Sequence, residues 1–261
     1  MAARRVVLID RPSGYVGPAL ARRLARSGHD LALVSPSNAQ VAELRELGAR
    51  VEAIALPDTG ADSLVGERGY SLLVKAAIDT FGHIDSAALF PGSPGVGVVR
   101  GPLLQAKASE MGGVTGYFQT TLNALQAIIP AMKKRGGQIV FFTSDSGSRP
   151  EAGWALYGAA RAGQTFLVRA AALEHARDNV LINAIGSKNA VFPGFPGIPD
   201  GAATDSHVNS GPWAAPLEAE TPIGRLGTME ELASFASVLL DGSNRFQTAQ
   251  FFSFSGGWSE R

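Results

Sequence analysis

The stretch QIVFFTSDSGSRPEAGWALYGAAR, which runs from Gln138 to Arg161, decides the fold class of this chain. Its beginning, through Thr143, is rich in apolar and aromatic side chains and predicts a buried strand. From Tyr157 to Ala176, alanine, leucine and valine recur at helical spacing and predict a helix. A buried strand, a short connection and a helix together form the repeating unit of α/β proteins.

The same alternation of strand and helix runs along the whole chain. It predicts a single domain over residues 1–261, with an α/β fold built on a Rossmann-like, doubly wound parallel sheet with right-handed crossovers. The other predicted strands are 6–9, 31–34, 51–55, 86–90, 180–185 and 250–254, and the other predicted helices are 18–27, 41–47, 71–81, 109–132 and 229–240. Residues 187–220 are a long irregular segment, and because such loops usually serve a site, we expect a substrate-pocket lid there.

Three residues of the opening stretch point to acid–base chemistry. Tyr157 and Arg161 share one face of the predicted helix. Ser144 ends the strand, at the edge of the sheet where ligands of open α/β folds bind. A free phenol, with a reference pKa of about 10, is a poor base at neutral pH, but a guanidinium close to it favours the phenolate. The tyrosine could then exchange a proton with an alcohol oxygen that the serine hydroxyl holds in place.

The turn after the first strand argues against a dinucleotide cofactor. Folds that bind NAD or NADP carry glycines there, which let the backbone approach the pyrophosphate. This chain has DRPSGYVG at residues 10–17, with Arg11 and Tyr15 at the first two glycine positions and only Gly17 retained. The end of the second strand, residues 35–37, also lacks the acid or arginine that would contact the ribose or its phosphate. We therefore predict that the chain uses no nucleotide cofactor.

These patterns resemble two related families. The Ser-x12-Tyr-x3 spacing is that of the short-chain dehydrogenase/reductases, which usually have lysine where this chain has Arg161. The arginine, together with Tyr15 and Gly17 in the first turn, is similar to the halohydrin dehalogenases, a branch of that superfamily that uses no nicotinamide. The ending, with RLGT at residues 225–228 and GGW at 256–258, resembles the same branch, so the resemblance covers nearly the whole chain.

The resemblance to the halohydrin dehalogenases implies a lyase that converts vicinal haloalcohols to epoxides and halide and, in reverse, opens epoxides with small anions. It implies Ser144, Tyr157 and Arg161 as catalytic residues, a homotetramer, and neither a cofactor nor a metal. It also implies a loop that holds the halide with backbone N–H groups and side chains, and we place this site at Tyr15, Gly186, Ser187, Lys188, Asn189 and Ala190. The remaining substrate-pocket residues are predicted to be Phe90, Pro91, Tyr117, Phe192 and Trp213.

Several alternatives stay open at this point. One is an NAD(P)-dependent reductase with an altered cofactor turn, in which Arg161 serves the tyrosine as lysine does. Another is a non-catalytic relative that binds a small ligand or a partner, because Asp10 and Lys188 depart from the dehalogenase pattern. Lys188 is either a charge in the halide loop or a lysine that faces solvent, and Tyr117 is either a pocket wall or a helix-packing residue.

The composition excludes several other classes of function. Lys and Arg number 23, as do Asp and Glu, so no excess of charge indicates a nucleic acid or a membrane surface as partner. The absence of cysteine excludes disulfides, thiol nucleophiles and thiolate metal sites, and the four histidines lack metal-ligand spacing. The first residues form no apolar signal segment and no run is long enough to span a bilayer, so we expect a cytoplasmic protein.

Overall fold

A computed structural model describes residues 4–92, 101–192 and 211–260. In these ranges seven strands alternate with helices. The strands are β1 (Val6–Ile9), β2 (Asp30–Val34), β3 (Val51–Ile54), β4 (Ser86–Leu89), β5 (Gly137–Ser144), β6 (Val180–Ser187) and β7 (Phe251–Phe254). The helices are α1 (Gly17–Arg26), α2 (Asn38–Glu46), α3 (Gly69–Phe81), α4 (Met111–Met132), α5 (Ala155–His175), α6 (Gly211–Glu220) and α7 (Met229–Val238).

The strands form one parallel sheet in the order β3-β2-β1-β4-β5-β6-β7. This confirms the predicted α/β fold with a doubly wound parallel sheet. The strand order reverses between β1 and β4, and in open α/β sheets the crevice above such a reversal is where ligands bind. Every residue of β5 is buried, as expected for a central strand covered by helices on both faces.

The core lies in two layers, one on each face of the sheet. Successive side chains of a strand point to opposite faces, so Val7 and Ile9 of β1 pack with α1 and α7, whereas Leu8 packs with α3, α4 and α5. The tight turn before α1 depends on Gly17, because a Cβ atom there would lie 1.9 Å from the carbonyl oxygen of Arg11. The sheet and its two layers therefore hold the β1–α1 turn and the end of β5 at one edge.

The segment that was expected to be irregular contains a helix. Gly211–Glu220 forms α6, although Pro216 lies inside it, and that proline is the reason the sequence did not suggest a helix there. Pro212 lies in the first turn, where the missing N–H has no intrahelical partner in any case. The predicted lid over residues 187–220 lies partly outside the described residues, because residues 193–210 are not among them.

None of the helices within the described ranges combines the length and the apolar character needed to cross a bilayer.

Candidate active site

A cavity of about 400 Å³ opens at the carboxyl edge of the sheet, where β1, β4, β5 and β6 end. Its walls are largely aromatic, and its polar groups come from the β1–α1 turn, from α4, from the end of β5, from α5 and from the residues around the end of β6. The described residues that line it are Arg11, Tyr15, Phe90, Pro91, Gly92, Tyr117, Phe142, Thr143, Ser144, Ser146, Trp154, Tyr157, Arg161, Ser187, Lys188, Asn189, Ala190, Phe192 and Leu217.

Ser144 is the last residue of β5 and lies on the cavity wall. Its backbone is still extended, and its Oγ accepts a hydrogen bond of 3.2 Å from the N–H of Ser146. This bond uses an acceptor position of the hydroxyl, so the hydroxyl proton remains able to donate to an oxygen in the cavity. The strand end and the turn after it therefore fix the serine with its donor toward a ligand.

Tyr157 and Arg161 lie in the first two turns of α5 and line the same cavity as Ser144. The guanidinium carbon of Arg161 lies 5.1 Å from the centre of the Tyr157 ring and 4.3 Å from the centre of the Tyr117 ring. Two aromatic faces therefore hold the cation beside the phenol. The structure thus brings together the three residues that the sequence predicted to act together.

The buried side-chain amide of Gln164 fixes the position of the Arg161 guanidinium. Gln164 is fully buried, and its Oε1 accepts a 2.9 Å hydrogen bond from Nη1 of Arg161. Its Nε2 donates to Oγ1 of Thr121 at 2.9 Å and to the carbonyl oxygen of Pro91 at 3.2 Å. Sequence analysis missed this residue, although a glutamine three residues after Arg161 in an apolar helix was a signal for it. The network ties α5 to α4 and to the end of β4.

Tyr15 crosses the crevice above the sheet. Its backbone φ is +53°, a left-handed conformation that is uncommon for a residue other than glycine. Its ring makes edge contacts with three phenylalanines, with centroid distances of 6.0, 6.2 and 5.2 Å to Phe90, Phe142 and Phe192. Its hydroxyl lies 2.5 Å from Oγ of Ser187 at the end of β6. Burial raises the pKa of Tyr15, so the side chain stays a neutral phenol.

Comparisons with known proteins identify the family. A family model described as enoyl-(acyl carrier protein) reductase matches residues 14–259. The chain belongs to this family, within the short-chain dehydrogenase/reductase superfamily.

The relatives are named for oxidation and reduction. The chain is similar to sorbitol dehydrogenase of Cereibacter sphaeroides, with 28% identity over 97% of this chain and 96% of that one. It is also similar to cis-4-hydroxycyclohexanecarboxylate dehydrogenase of Sinomonas cyclohexanicum, with 27% identity over 98% and 97% of the two chains. Among solved structures, levodione reductase superposes with a TM-score of 0.82, with 26% identity over 100% of this chain and 99% of that one.

The predicted dehalogenase activity is therefore wrong, whereas the predicted superfamily is confirmed. These relatives are called dehydrogenases and reductases, which are oxidoreductases, and none of the three is a lyase. The prediction failed because it rested on Arg161 and on the bulky first turn. These are local features of one cavity, and members of one fold can vary them without a change of reaction class.

The loop that was predicted to hold a halide uses its polar groups within the protein. Gly186 lies in β6, where a Cβ atom would come 2.4 Å from the ring of Phe251. The N–H of Lys188 donates to the carbonyl oxygen of Phe254 at 3.2 Å, and Nδ2 of Asn189 donates to Oγ1 of Thr221 at 2.9 Å. Ser187 contacts the hydroxyl of Tyr15, and Ala190 lines the cavity with an apolar side chain. These contacts connect the end of β6 to β7 and to Thr221, the residue that follows α6.

Lys188 does not face solvent. Its Nζ lies 2.7 Å from Oε2 of Glu151, and the side chains of the pair are 15% and 19% exposed. The same ammonium lies 4.5 Å from the centre of the Trp258 ring and 5.5 Å from that of the Trp154 ring. The positive charge is therefore neutralised by a carboxylate and covered by two indoles at the rim of the cavity.

Most of the other predicted pocket residues lie where the sequence placed them. Phe90, Pro91, Tyr117 and Phe192 line the cavity, whereas Trp213 packs against Val191, Ala214, Leu217 and Leu226 away from it. The cavity residues that sequence analysis did not propose as part of a site include Arg11, Phe142, Trp154 and Leu217. Leu217 was missed because α6 was not recognised as a helix.

The first turn does not fit the dinucleotide that dehydrogenases of this superfamily use. The ring of Tyr15 spans the crevice between the end of β1 and the end of β6, where the pyrophosphate and nicotinamide would lie. On the adenosine side, Nε2 of Gln40 in α2 donates to the carbonyl oxygen of Pro12 at 2.7 Å, which ties α2 to the turn. Among the described residues that line the cavity, none comes from β2 or α2. The ring of Tyr15 therefore occupies part of the crevice that a pyrophosphate would use, in the conformation that the structure shows.

In the part of the chain that the structure describes, no group of three or more histidine, aspartate or glutamate side chains is placed to hold a metal ion.

Proposed function

We propose that the chain is an oxidoreductase that interconverts a secondary alcohol and the corresponding ketone, with Tyr157 as the acid–base residue. The observation that carries this proposal is the convergence of Ser144, Tyr157 and Arg161 on one cavity of a fold whose named relatives are dehydrogenases and reductases. This corresponds to the reductase alternative that the sequence left open. The fold positions these residues, and the proposed reaction is inferred from the three side chains themselves.

In this proposal the protein handles the proton of the reaction, and an external acceptor, such as a nicotinamide nucleotide, would take up the hydride that leaves the alcohol carbon. The Ser144 hydroxyl donates a hydrogen bond to the substrate oxygen and fixes it near the Tyr157 hydroxyl. Tyr157 takes the proton from an alcohol or gives one to a forming alkoxide. Arg161 places a positive charge beside the Tyr157 ring, with its guanidinium carbon 5.1 Å from the ring centre. The buried Gln164 keeps that guanidinium in place.

The walls of the cavity suggest a compact substrate with a ring or a branched apolar body. A volume of about 400 Å³ lies at the small end of the range for ligand sites. Tyr117, Trp154 and Phe192 provide flat apolar walls around the polar edge of the site. Relatives are named for levodione and for cis-4-hydroxycyclohexanecarboxylate, which is consistent with a substrate of this size.

The test is product formation from a panel of cyclic secondary alcohols, with product identified by chromatography. Because Tyr15 lies where a dinucleotide would bind, three hydride or electron acceptors are supplied in parallel, namely NAD⁺, NADP⁺ and a soluble dye. We expect a ketone product in at least one arm. We also expect a loss of about 100-fold or more in Tyr157→Phe, since the ring remains but the proton-transferring oxygen is gone. Unchanged turnover in Tyr157→Phe, with folding verified by circular dichroism, would overturn the assignment of Tyr157.

A second candidate is a binding protein without turnover, and the position of Tyr15 favours it. The ring of Tyr15 closes the place where a dinucleotide would lie, and its hydroxyl is held by Ser187. A chain with an intact proton-transfer site and no hydride donor would bind alcohols or ketones without converting them. The absence of product in all three arms, together with saturable binding of a cyclic ketone, would establish this second candidate and reject the first.

A further inference from the structure

The charged side chains that line the described part of the cavity are all positive. Three cationic side chains line it, those of Arg11, Arg161 and Lys188, and no aspartate or glutamate is among its described lining residues. A ligand that enters this cavity therefore meets a positive field. Enclosed clefts of one sign of charge concentrate ligands of the opposite sign.

Two of the three cations already have partners. Lys188 pairs with Glu151 at 2.7 Å. Arg161 donates a hydrogen bond to Gln164 and lies beside the ring of Tyr157. Only Lys188 has an acid as its partner, and the buried Nε of Arg161 has no hydrogen-bond partner among the described residues.

Arg11 is different, because its side chain is exposed and has no hydrogen bond or ion pair within the part of the chain that the structure describes. Its side chain lies over the first turn, since a Cβ atom on Gly14 would come 3.0 Å from its Nε. Its charge acts on both Asp10 and Tyr117, and in each case it opposes the rise in pKa that burial causes. The guanidinium therefore extends from the turn toward the cavity.

The carboxylate next to it, that of Asp10, has its hydrogen-bond partners elsewhere. Asp10 is 2% exposed, and its oxygens accept hydrogen bonds from the hydroxyl of Tyr70 and the N–H of Phe90. Burial raises the pKa of Asp10 to about 7, so the group is partly neutral at physiological pH. Arg11 thus presents a planar set of donors at the cavity wall, and no acid among the described residues receives them.

We propose that Arg11 binds a carboxylate on the substrate, so that the substrates are compact hydroxy or oxo carboxylic acids. A guanidinium matches a carboxylate with two parallel hydrogen bonds, which gives both orientation and affinity. The carboxylate would lie at the β1 end of the cavity while the reacting oxygen lies between Ser144 and Tyr157. This inference rests on the proposed function for the choice of reacting group, but the binding of the acid can be measured without turnover.

The same guanidinium could also receive an oxyanion from another source, namely a phosphate of a nucleotide. The shared chemistry is an oxyanion on Arg11, and the two sources differ in what else must bind. The substrate carboxylate is favoured because Tyr15 closes the crevice that a nucleotide would need. The experiment therefore includes both sources.

The experiment measures binding by calorimetry in the full chain carrying Tyr157→Phe, so that no reaction occurs. The probes are cyclohexanecarboxylate, the neutral isostere cyclohexanecarboxamide, and NADH. Each probe is titrated into the parent, Arg11→Gln, Arg11→Lys and the control Arg26→Gln. Arg26 is an exposed residue at the end of α1, so its replacement removes the same net charge away from the cavity.

We expect the carboxylate to bind at least about tenfold more tightly than the carboxamide in the parent and in Arg26→Gln. Arg11→Gln should abolish this preference, and Arg11→Lys should retain part of it. Equal binding of the two probes in the parent, or an unchanged preference in Arg11→Gln, would overturn the proposal. Loss of NADH binding in Arg11→Gln without any carboxylate preference in the parent would also overturn it, in favour of a nucleotide phosphate. Turnover of neutral alcohols alongside such a failure would leave the proposed reaction standing.

Discussion

The two walls of the cavity differ in how closely they follow the superfamily. The wall formed by the end of β5 and the start of α5 keeps the serine, the tyrosine and a cation four residues further on. The wall formed by the β1–α1 turn has lost two of three glycines and carries Arg11 and Tyr15 in their place. In the proposed function the first wall handles a proton, whereas the second lies where a dinucleotide would bind.

The difference shows that the two tasks of such a site can change independently. The proton-transfer residues depend on the register of β5 and on one helix face, both of which are set by the core. The first turn depends on backbone conformation, and Tyr15 keeps a left-handed φ of +53° there.

The largest expected effect concerns the proton-transfer chemistry of the β5 wall. Ser144→Ala should lower kcat on an accepted alcohol by about 100-fold with a small change in KM, because the hydrogen bond to the substrate oxygen is strongest as charge develops on it. The matched control is Ser146→Ala, whose hydroxyl also lines the cavity but donates to Glu151 at 3.0 Å. Steady-state kinetics on both variants checks this. Equal losses in the two variants would mean that Ser144 has no special role.

The fold could be predicted from the sequence because its signals are repeated. Each buried strand is followed by a helix of different periodicity, so an error of one or two residues at an end leaves the topology unchanged. The helix α6 was not found because Pro216 contradicts a helix locally, whereas packing of Ala214 and Trp213 in a small apolar cluster stabilises it. At this helix the tertiary contacts outweigh the low helix propensity of the proline.

The candidate site was predictable where spacing alone brings residues together. Ser144, Tyr157 and Arg161 belong to one strand–turn–helix unit, so their meeting required no long-range information. The environment of Lys188 was not predictable, because Glu151 and Trp258 come from distant parts of the chain. The activity was misassigned for a related reason: the bulky first turn was taken to define the reaction, although it faces the dinucleotide side of the crevice.

The second prediction tests whether Tyr15 closes the nucleotide wall. Tyr15→Gly should raise the affinity for NADH or NADPH at least about tenfold, because it opens the crevice and because glycine adopts a positive φ without strain. Tyr15→Phe is the control, since it keeps the ring and removes only the contact with Ser187, and it should bind nucleotide no better than the parent. Fluorescence titration gives the two affinities. Tight nucleotide binding by the unaltered chain, equal to that of Tyr15→Gly, would show that the ring is no obstacle.

The smallest expected effect concerns Asp10, the buried acid that begins the altered turn. Burial raises the pKa of Asp10 to about 7 in the folded state, whereas an unfolded aspartate has a pKa of about 3.9. The folded state therefore holds the proton more tightly, and this contribution to stability is full below about pH 4 and is lost as the pH rises to about 7.

Asp10→Asn removes that titration while its amide can still accept from Phe90 and contact Tyr70. Between pH 5 and pH 8 the free energy of unfolding of the parent should fall relative to that of the variant by about 2 kcal/mol, or roughly 5 °C in Tm. Thermal unfolding of the two proteins across this range isolates the contribution of Asp10, because all other titrating groups are shared. A difference between the two proteins that stays constant with pH would mean that Asp10 keeps the same charge throughout this range, and the raised pKa would then be wrong.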